Sequence, residues 1–583
     1  MNSVRSSIIL LALYISGSTA VSNGSVRPHI ITILIDDLGW NDVGFHGSNQ
    51  MSTPNIDALA YSGIILNRHY VLPSCTPSRA ALLTGAYPIR TGMQGFPMKC
   101  GTRRGIPISK KLTPAYFKDL GYHTHLVGKW HLGYHTPDHV PNKRGFDSFF
   151  GYYNGYVEYF QYGVQQDFVV NNKNYSYCGY DLHRNDDVDW KWKGKYATSV
   201  FTDRVQQIIE NHNTSEPLYL LMSHLGVHTG SIVGTGLEVP EGVNVDAEYP
   251  HIRDRPRRDL AGVLREVDDS VGAIVKTLQE NGMLNNSIIL LMSDNGAHTV
   301  STDMQPNWSS NWPLRGTKFT LYEGGVRGAA LIWSPLLPKG IVSEQFIHII
   351  DWLPTLYHAA GGDVSNLEDM DGINVWNSLK EMTDVKRDHI LLNIDESFGH
   401  EGIILKNRWK VTKSGIRTYG HYDLHWGKEE NVFQPPNNYY SKVRRSTAGQ
   451  ILKETDTSNQ CLNKKKMRSL RKSARVECRF NDDTKDVEVK EGYVKESRVF
   501  FCSDYCIYDI LNDPCEVSIV DNKAVLNEGV KLLEEYKKTL RPQEDNSVDP
   551  LSDPDLRGGA WKPWLSSNCD SSSYCSRDNY PIS

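Results

Sequence analysis

Two pairs of oxygen-bearing side chains each follow an apolar run of the chain. Asp36 and Asp37 come directly after one run, and Asp294 and Asn295 come directly after another. Adjacent carboxylates at the end of a buried strand are costly unless they bind something positive. Turn-forming acidic residues at a strand end would explain either pair alone. Because all four side chains offer the hard oxygen ligands that suit Ca²⁺ or Mg²⁺ better than zinc, the two pairs together predict one metal site.

A cysteine lies at the start of a second chemically suggestive segment, Cys75-Thr76-Pro77-Ser78-Arg79. Thr76 is placed to cap a helix that has Pro77 at its first position and Gly85 just past its end. Residue 75 would then lie at the positive end of the helix dipole, where an anion is stabilised. Spacing alone does not distinguish this arrangement from an ordinary buried or disulfide-bonded cysteine.

Buried strands are predicted to position these residues. Residues 29–35 are continuously apolar and β-branched, which is typical of a central strand covered by helices on both faces. Helical patterns, the clearest at residues 259–281, separate this run from four similar ones at 124–128, 218–223, 288–293 and 329–333. The alternation predicts an α/β sandwich. In open α/β sheets, ligands collect at the carboxyl ends of strands, so both oxygen pairs are expected at one site.

The pattern changes to shorter and more polar segments after about residue 361. We expect a catalytic domain at residues 27–390 and a smaller C-terminal α+β domain at 391–583. In the latter, residues 403–405 and 409–412 predict a hairpin, and residues 530–540 predict an amphipathic helix.

A basic insertion is predicted at residues 439–479. It contains a dense group of cationic side chains: Lys464, Lys465, Lys466, Arg468, Arg471, Lys472 and Arg475. A solvated loop or exposed helix would account for these charges, and so would a surface that binds an acidic polysaccharide.

The first twenty residues have the order of a signal peptide, with Arg5, an apolar run at residues 8–15 and small residues at 17–20. The run is shorter than the roughly 20 residues needed to span a bilayer. We therefore expect the secretory pathway, with extracellular or lysosomal residence and no membrane span. Five glycosylation sequons fit that compartment, at Asn23, Asn174, Asn213, Asn285 and Asn307.

Net charge, composition and cysteine content limit the class of protein further. A net charge of -5 over 583 residues gives no argument for a nucleic-acid partner. The apolar content of 39% and charged content of 22% are those of a globular protein. The chain has ten cysteines, most of which an oxidising compartment would pair, with a connectivity that stays open. Without Cys75 their number is odd, so one of the others is expected to be free or bonded to another chain.

The motifs together resemble the sulfatase family. The segment from Cys75 to Arg79, followed by Leu83-Thr84-Gly85, resembles the family signature in which the cysteine is converted to formylglycine. Wider similarity to the arylsulfatase B (N-acetylgalactosamine-4-sulfatase) branch runs from about residue 29 to residue 513 and thins out in the basic insertion. It is carried by residues 127–133 (VGKWHLG), 144–147 (RGFD), 312–318 (WPLRGTK), 323–327 (EGGVR), 508–510 (YDI) and, beyond that range, 561–564 (WKPW).

This resemblance implies an alkaline-phosphatase-like α/β/α sandwich with a large mixed sheet, and a hydrolase that releases inorganic sulfate from sulfate esters. It also implies a formylglycine-generating enzyme as a partner during maturation. One Ca²⁺ would be bound by Asp36, Asp37, Asp294, Asn295 and modified residue 75. Arg79 and Lys129 would hold the formylglycine, Lys129 and Lys318 would clamp sulfate oxygens, and His131 and His228 would complete the site.

The assignment of His228 departs from the family pattern. Many relatives have proline two residues after this histidine, whereas Gly230 stands here and would leave the loop freer. His224 is a nearby competitor. Considered singly, each histidine would be a packed or exposed residue, and Lys129 or Lys318 a solvated charge.

The same residues bear on two alternative functions and on the choice of substrate. A phosphoryl hydrolase of this fold would use two metals with several histidine ligands, which the single Asp and Asn set argues against. A non-catalytic protein that binds sulfated glycans would use the basic insertion. For a sulfatase, the substrate is either 4-sulfated N-acetylgalactosamine in a glycosaminoglycan or a small dietary sulfate ester such as a glucosinolate, and loops at the rim of the site decide between them.

Overall fold

The computed structural model describes residues 27–170, 172–230, 236–299, 306–413, 437–455, 461–478, 488–490, 493–495 and 504–567. The predicted signal peptide and Asn23 lie outside these residues. The strands are β1 (His29–Ile35), β2 (Ile64–Leu66), β3 (His69–Tyr70), β4 (His123–Lys129), β5 (Ser148–Tyr152), β6 (Gly163–Val170), β7 (Lys173–Tyr180), β8 (His183–Arg184), β9 (Asp187–Val188), β10 (Leu218–Ser223), β11 (Ser287–Ser293), β12 (Ala330–Trp333), β13 (Ile341–Ser343), β14 (Ile347–His348), β15 (His389–Asp395), β16 (His400–Leu405), β17 (Trp409–Lys413), β18 (Glu488–Lys490), β19 (Tyr493–Lys495) and β20 (Tyr505–Asp509).

The helices are α1 (Pro54–Ser62), α2 (Cys75–Thr84), α3 (Thr113–Asp119), α4 (Ala197–Glu210), α5 (Val245–Glu248), α6 (Arg255–Glu280), α7 (Glu323–Val326), α8 (Trp352–Ala359), α9 (Trp376–Glu381), α10 (Tyr439–Arg445), α11 (Thr447–Thr455), α12 (Lys464–Ser473) and α13 (Lys523–Lys537). Among the described residues, none of these helices combines the length and the apolar composition that a bilayer crossing requires.

A ten-stranded mixed sheet forms the centre, in the order β13-β2-β12-β11-β1-β10-β4-β5-β8-β9. The five predicted strands are all present, and β1 lies between β11 and β10, parallel to both. The register pairs Ile35 of β1 with Ser293 of β11. Because these two residues immediately precede Asp36 and Asp294, the register itself places the two predicted oxygen pairs side by side.

Helices cover both faces of this sheet and confirm the predicted α/β sandwich. Ile31 and Ile33 of β1 belong to a core cluster that includes the apolar faces of α4 and α6. Ile30 and Leu34 point to the opposite cluster, with α2, α3 and α8. Helix α6 begins at Arg255, earlier than the predicted residue 259, because a proline in its first turn needs no hydrogen-bond donor.

A separate four-stranded antiparallel sheet follows, in the order β15-β16-β17-β20. It contains the predicted hairpin, formed by β16 and β17, and α13 packs on it. Helix α13 begins at Lys523, before the predicted residue 530. Asn522 caps it by accepting a hydrogen bond from the Val525 backbone N–H, at 3.2 Å.

The basic insertion forms the three helices α10, α11 and α12. Helices α10 and α11 pack against α1, and α11 also packs against α6. Apolar side chains of all three helices, including Val443, Leu452 and Met467, join the same core cluster as Ile31. In residues 437–455 and 461–478 the insertion is therefore built of amphipathic helices and is not a solvated loop.

A buried charge cluster connects the C-terminal sheet to the large one. The Lys410 ammonium lies 2.7 Å from a Glu323 oxygen and 2.9 Å from a Glu516 oxygen, with all three side chains fully buried. Burial raises the pKa of Glu516 to about 7, against the effect of Lys410. Burial also opposes ionisation of Glu323, but Lys410 and Arg327 hold its pKa below the ordinary value.

We expect Lys410→Met to destabilise the protein by about 3–5 kcal/mol, because it leaves buried carboxylates without their shared cation. Unfolding in denaturant, followed by fluorescence, measures this change. Lys406→Met is the control, since Lys406 pairs with Glu528 at the surface, and it should change stability by about 0.5 kcal/mol or less. Equal stabilities for the two variants would contradict the prediction.

Candidate active site

The cysteine of the signature segment is the first residue of α2. Ser74 precedes it at the N-cap position, and Gly85 ends the helix with a φ of 65°, as predicted. Thr76 does not cap the helix, contrary to prediction. Its hydroxyl instead accepts a hydrogen bond from the Met98 backbone N–H at 3.1 Å. Cys75 nevertheless lies at the positive end of α2, with 2% of its surface exposed.

The two oxygen pairs meet beside this cysteine. The Asp37 backbone N–H donates to Asp294 Oδ1 at 3.2 Å, and Asn295 Nδ2 donates to Asp37 Oδ1 at 2.6 Å. All four residues, including Asp36, are at most 1% exposed. Asp37 has a φ of 56°, a left-handed conformation that aspartate tolerates better than most residues.

Three cationic side chains neutralise this cluster, one for each carboxylate. Lys129 Nζ lies 2.6 Å from Asp36 Oδ2, and Lys318 Nζ lies 2.7 Å from Asp37 Oδ1. Arg79 donates to Asp294 Oδ2 at 2.8 Å. Each pair is buried, so the charges interact with little screening by solvent.

The carboxyl pKa values reflect this arrangement. Burial opposes ionisation of Asp37, but Lys318 and His228 outweigh it and hold the pKa of Asp37 well below its usual range. For Asp294, burial and the neighbouring Asp36 charge raise the pKa to about 6.

A hard divalent cation fits the oxygen cluster. Asp36 Oδ1 and Asn295 Oδ1 are buried and have no hydrogen-bond partner among the described residues. Such atoms are costly unless something satisfies them, and a cation would do so. Asp36, Asp37 and His228 also form the one group of three metal-binding side chains found in the described parts of the chain. This single group gives no support to the two-metal site expected of a phosphoryl hydrolase.

His131 faces the cysteine. Its Nδ1 lies 3.4 Å from Cys75 Sγ, and its Nε2 lies 3.0 Å from the Met98 carbonyl oxygen. Because a carbonyl only accepts, we assign the proton of the neutral ring to Nε2, which leaves a lone pair on Nδ1 directed at residue 75. Burial and the Lys129 charge hold the pKa of His131 well below its ordinary value, so the ring is neutral.

His228 also reaches the cluster, with Nε2 3.7 Å from Asp37 Oδ2 and Nδ1 2.7 Å from the Thr229 carbonyl. Burial, followed by the Lys318 charge, lowers the pKa of His228 to about 3. The competitor His224 is buried elsewhere, and neither of its ring nitrogens has a hydrogen-bond partner within the described residues.

Gly230 does not loosen the His228 loop as expected. A Cβ at this position would lie 2.6 Å from the Val157 carbonyl oxygen and 2.9 Å from the Tyr159 ring. Tyr159 in turn donates its hydroxyl to the His228 carbonyl at 2.8 Å. Glycine is therefore required here by close packing, which holds the loop in place.

Two further residues support the site and were not predicted to do so. The Ser223 hydroxyl accepts from Arg79 at 2.5 Å. Asn307 donates its amide to the Asp37 carbonyl at 3.0 Å and to the Val227 carbonyl at 3.2 Å. A role for Ser223 in the site could have been predicted from its position as the last residue of a predicted strand. The sequon at Asn307 instead suggested an exposed residue.

The structure argues against a glycan on Asn307. Its side chain is 1% exposed, and its amide nitrogen is occupied by the two carbonyl contacts. The other described sequons differ, because Asn174, Asn213 and Asn285 are all exposed. Of the cysteines, Cys478 and Cys515 form a disulfide, while Cys75, Cys100 and Cys178 are free.

Comparison with known proteins identifies the family. The sulfatase family profile matches residues 28–362. The chain is 32% identical over 554 residues to arylsulfatase J of Mus musculus, covering 93% of this chain and 81% of that protein. It is 31% identical over 381 residues to N-acetylgalactosamine-6-sulfatase of Homo sapiens, covering 60% of this chain and 66% of that protein.

Solved structures share the architecture. Ps i-CgsB in complex with k-i-k-neocarrahexaose matches with a TM-score of 0.65 and 25% identity, covering 91% of this chain and 97% of that one. With this fold and this site, the chain belongs to the sulfatase family. Family membership supports an activity that hydrolyses sulfate esters.

Proposed function

We propose that this protein hydrolyses sulfate esters with formylglycine made from Cys75 as its nucleophile. The observation that carries the proposal is the position of Cys75, at the start of α2, 3.4 Å from His131 and beside the buried oxygen cluster. A thiol in this place is a poor nucleophile, because burial raises the pKa of Cys75 above its ordinary value. Conversion to a hydrated aldehyde would provide two hydroxyl groups on one carbon.

The oxygens of Asp36, Asp37, Asp294 and Asn295, with modified residue 75, would hold one Ca²⁺. When bound, the ion would polarise the sulfate group and acidify the attacking hydroxyl. Lys129 and Lys318 would contact sulfate oxygens, and Arg79 with Lys129 would hold the formylglycine. These cations offset charge that develops on the transferring group.

In the first step, one hydroxyl oxygen of the hydrated residue 75 forms a bond to sulfur, and the bond between sulfur and the ester oxygen breaks. Asp294 would accept the proton of the attacking hydroxyl. The alcohol leaves with a proton from His228 or Lys318. A bound sulfate ester would add negative charge beside His228 and favour its protonated form.

In the second step, His131 removes the proton of the remaining hydroxyl through Nδ1. The carbon–oxygen double bond of the aldehyde re-forms as the bond from that carbon to the sulfate oxygen breaks. Inorganic sulfate leaves without water attacking sulfur, and addition of water to the aldehyde restores the hydrate.

Parallel assays of an aryl sulfate and the matching aryl phosphate test the reaction class. We expect sulfate release from the sulfate ester and much slower phosphate release. Preferential phosphate hydrolysis would contradict the proposal.

The substrate is proposed to be a sulfated saccharide, with 4-sulfated N-acetylgalactosamine as the first candidate. Similarity to a protein named N-acetylgalactosamine-6-sulfatase and to one solved in complex with k-i-k-neocarrahexaose supports the saccharide class. A panel of 4-sulfated and 6-sulfated saccharides and glucosinolates, compared by kcat/KM, tests this assignment. A highest kcat/KM for the glucosinolates would contradict it.

His228→Asn should lower kcat/KM for sulfate esters of poorly acidic alcohols by about 10²- to 10⁴-fold, because those leaving groups need a proton in the transition state. For activated aryl sulfates, whose phenolate leaves without protonation, kcat/KM should fall much less. A plot of log kcat/KM against the pKa of the leaving alcohol measures the difference. His224→Asn is the control, since His224 does not reach the cluster, and an unchanged slope for His228→Asn would exclude its role as the acid.

A further inference from the structure

Helix α12 carries a row of exposed cationic side chains. Six of its ten residues are Lys or Arg, and none is Asp or Glu. We define the basic face as five of these side chains, all exposed: Lys464, Lys465, Lys466, Arg468 and Lys472. Lys464, Arg468 and Lys472 recur at every fourth residue, which places them on one side of the helix along about 12 Å.

The opposite side of α12 anchors it to the catalytic domain. Arg471, the remaining cation, is 5% exposed and donates to the Gly44 carbonyl at 2.8 Å and the Ser48 carbonyl at 2.6 Å. Met467 is fully buried. Because these contacts set the orientation of the helix, the basic face is displayed on a firmly packed element, and binding would order only its side chains.

The charges of the basic face are not neutralised within the described residues. Salt bridges occur over much of the rest of this surface, for example Arg265 with Glu248 at 2.6 Å, but no described carboxylate pairs with any of the five side chains. Like charges four residues apart on a helix repel one another and destabilise it. Helix α10 contacts α12, because the Arg471 guanidinium lies 4.9 Å from the centre of the Tyr439 ring. Arg444 and Arg445 of α10 are also exposed.

We propose that the basic face is a second binding surface for a sulfated polysaccharide, separate from the candidate active site. The inference rests on the proposed function, because the same polymer would provide the sulfate esters that are hydrolysed. A polyanion matches a concentrated positive surface on a chain whose net charge is -5. A membrane partner is less favoured, because the exposed large apolar side chains of the described residues all lie outside α10, α11 and α12.

The basic face shares its supporting segments with the candidate active site. Arg471 contacts the segment at residues 44–48, which follows Asp36 and Asp37 closely in the chain. Beyond the helix, Cys478 Sγ lies 3.3 Å from the carbonyl oxygen of Pro313, in the loop that leads to Lys318. A polymer bound to the basic face would therefore remain close to the site, and its sulfate esters would be present at a raised effective concentration.

The test uses the full chain with Lys464→Gln, Arg468→Gln and Lys472→Gln combined. A matched control removes three exposed charges from α13 and its C-cap residue with Lys523→Gln, Lys531→Gln and Lys538→Gln. We expect the α12 variant to bind heparin, the probe polysaccharide, about tenfold or more weakly at low salt and with a smaller salt dependence, whereas the control binds like wild type.

Kinetics give a second readout. The α12 variant should show a raised KM for a polymeric sulfated substrate and an unchanged rate on a small aryl sulfate. Equal heparin affinity in the α12 variant and the wild type would overturn the proposal, and so would an equal loss in the control. Binding to vesicles of anionic lipid without heparin binding would assign the surface to membranes and also overturn it. Absence of aryl sulfate turnover in the wild type would instead contradict the proposed function.

Discussion

Cys75→Ala is expected to abolish turnover of sulfate esters and to leave the protein folded. Removal of a covalent nucleophile lowers kcat on the order of 10⁶-fold in well-studied hydrolases. Cys75 is small, and its Sγ is in hydrogen-bond contact only with His131 in the described structure. Truncation therefore removes the nucleophile and little of the packing. Circular dichroism and thermal unfolding would confirm the fold of the inactive variant.

Cys75→Ser separates the formylglycine mechanism from catalysis by a simple hydroxyl. A serine offers one hydroxyl on its carbon and lacks the second one, whose deprotonation by His131 releases sulfate. We therefore expect nearly the same loss as for alanine. Cys178→Ser is the matched control, because Cys178 is a free and exposed cysteine far from the oxygen cluster in sequence, and it should keep full activity.

Mass analysis of the peptide that contains residue 75 provides an independent check. Active wild-type protein should contain the aldehyde, and the aldehyde fraction should rise and fall with specific activity. An unmodified thiol in fully active material, or full activity in either Cys75 variant, would refute the role of formylglycine.

The central sheet was predictable because its signals are local and strong. Continuous β-branched runs such as residues 29–35 have few other stable placements than a buried strand. The pairing of Ile35 with Ser293 could not be read from the sequence, but only the end of each strand was needed to predict that the oxygen pairs meet. The site was therefore predicted from strand ends without knowledge of the register.

Contacts between distant segments account for what the sequence did not reveal. Considered alone, Gly230 suggests a flexible backbone. That glycine is required there by packing is visible only once Val157 and Tyr159 lie against it. Asn307 matches a glycosylation sequon, yet its amide is needed to hold the backbone of Asp37. Thr76 is a favourable capping residue locally, but Met98 competes for its hydroxyl from another loop.

The basic insertion shows the same limit. Its positive charge is obvious from composition, whereas its apolar positions are few and widely spaced. Val443 and Leu452 are recognisable as one buried face only when α1 and α6 supply the surface they cover, and Met467 is recognisable as buried only when α12 packs beside β13 and residues 44–46. Composition therefore identifies the exposed charges of the insertion but not the buried apolar side chains that fold it.

Asp36→Asn should remove the bound divalent cation and reduce activity by at least about 10²- to 10³-fold, the range for loss of one electrostatic stabiliser of a transition state. Of the three carboxylates in the oxygen cluster, Asp36 is the one with a buried oxygen that lacks a hydrogen-bond partner among the described residues. An amide in its place keeps the shape but removes the charge that would bind the ion. Elemental analysis of the purified variant measures bound metal directly, independently of activity.

Thermal unfolding supplies the second measurement and the control. After chelation, added Ca²⁺ should raise the melting temperature of the wild type, because a ligand that binds only the native state stabilises it. Asp42→Asn should retain this response, since Asp42 is equally buried but pairs with Arg257 at 2.5 Å and accepts from the Ser310 backbone N–H. Asp36→Asn should lose it. If Asp36→Asn bound as much Ca²⁺ or Mg²⁺ as the wild type, the Asp36 carboxylate would not be required to hold the ion, and the prediction would be wrong.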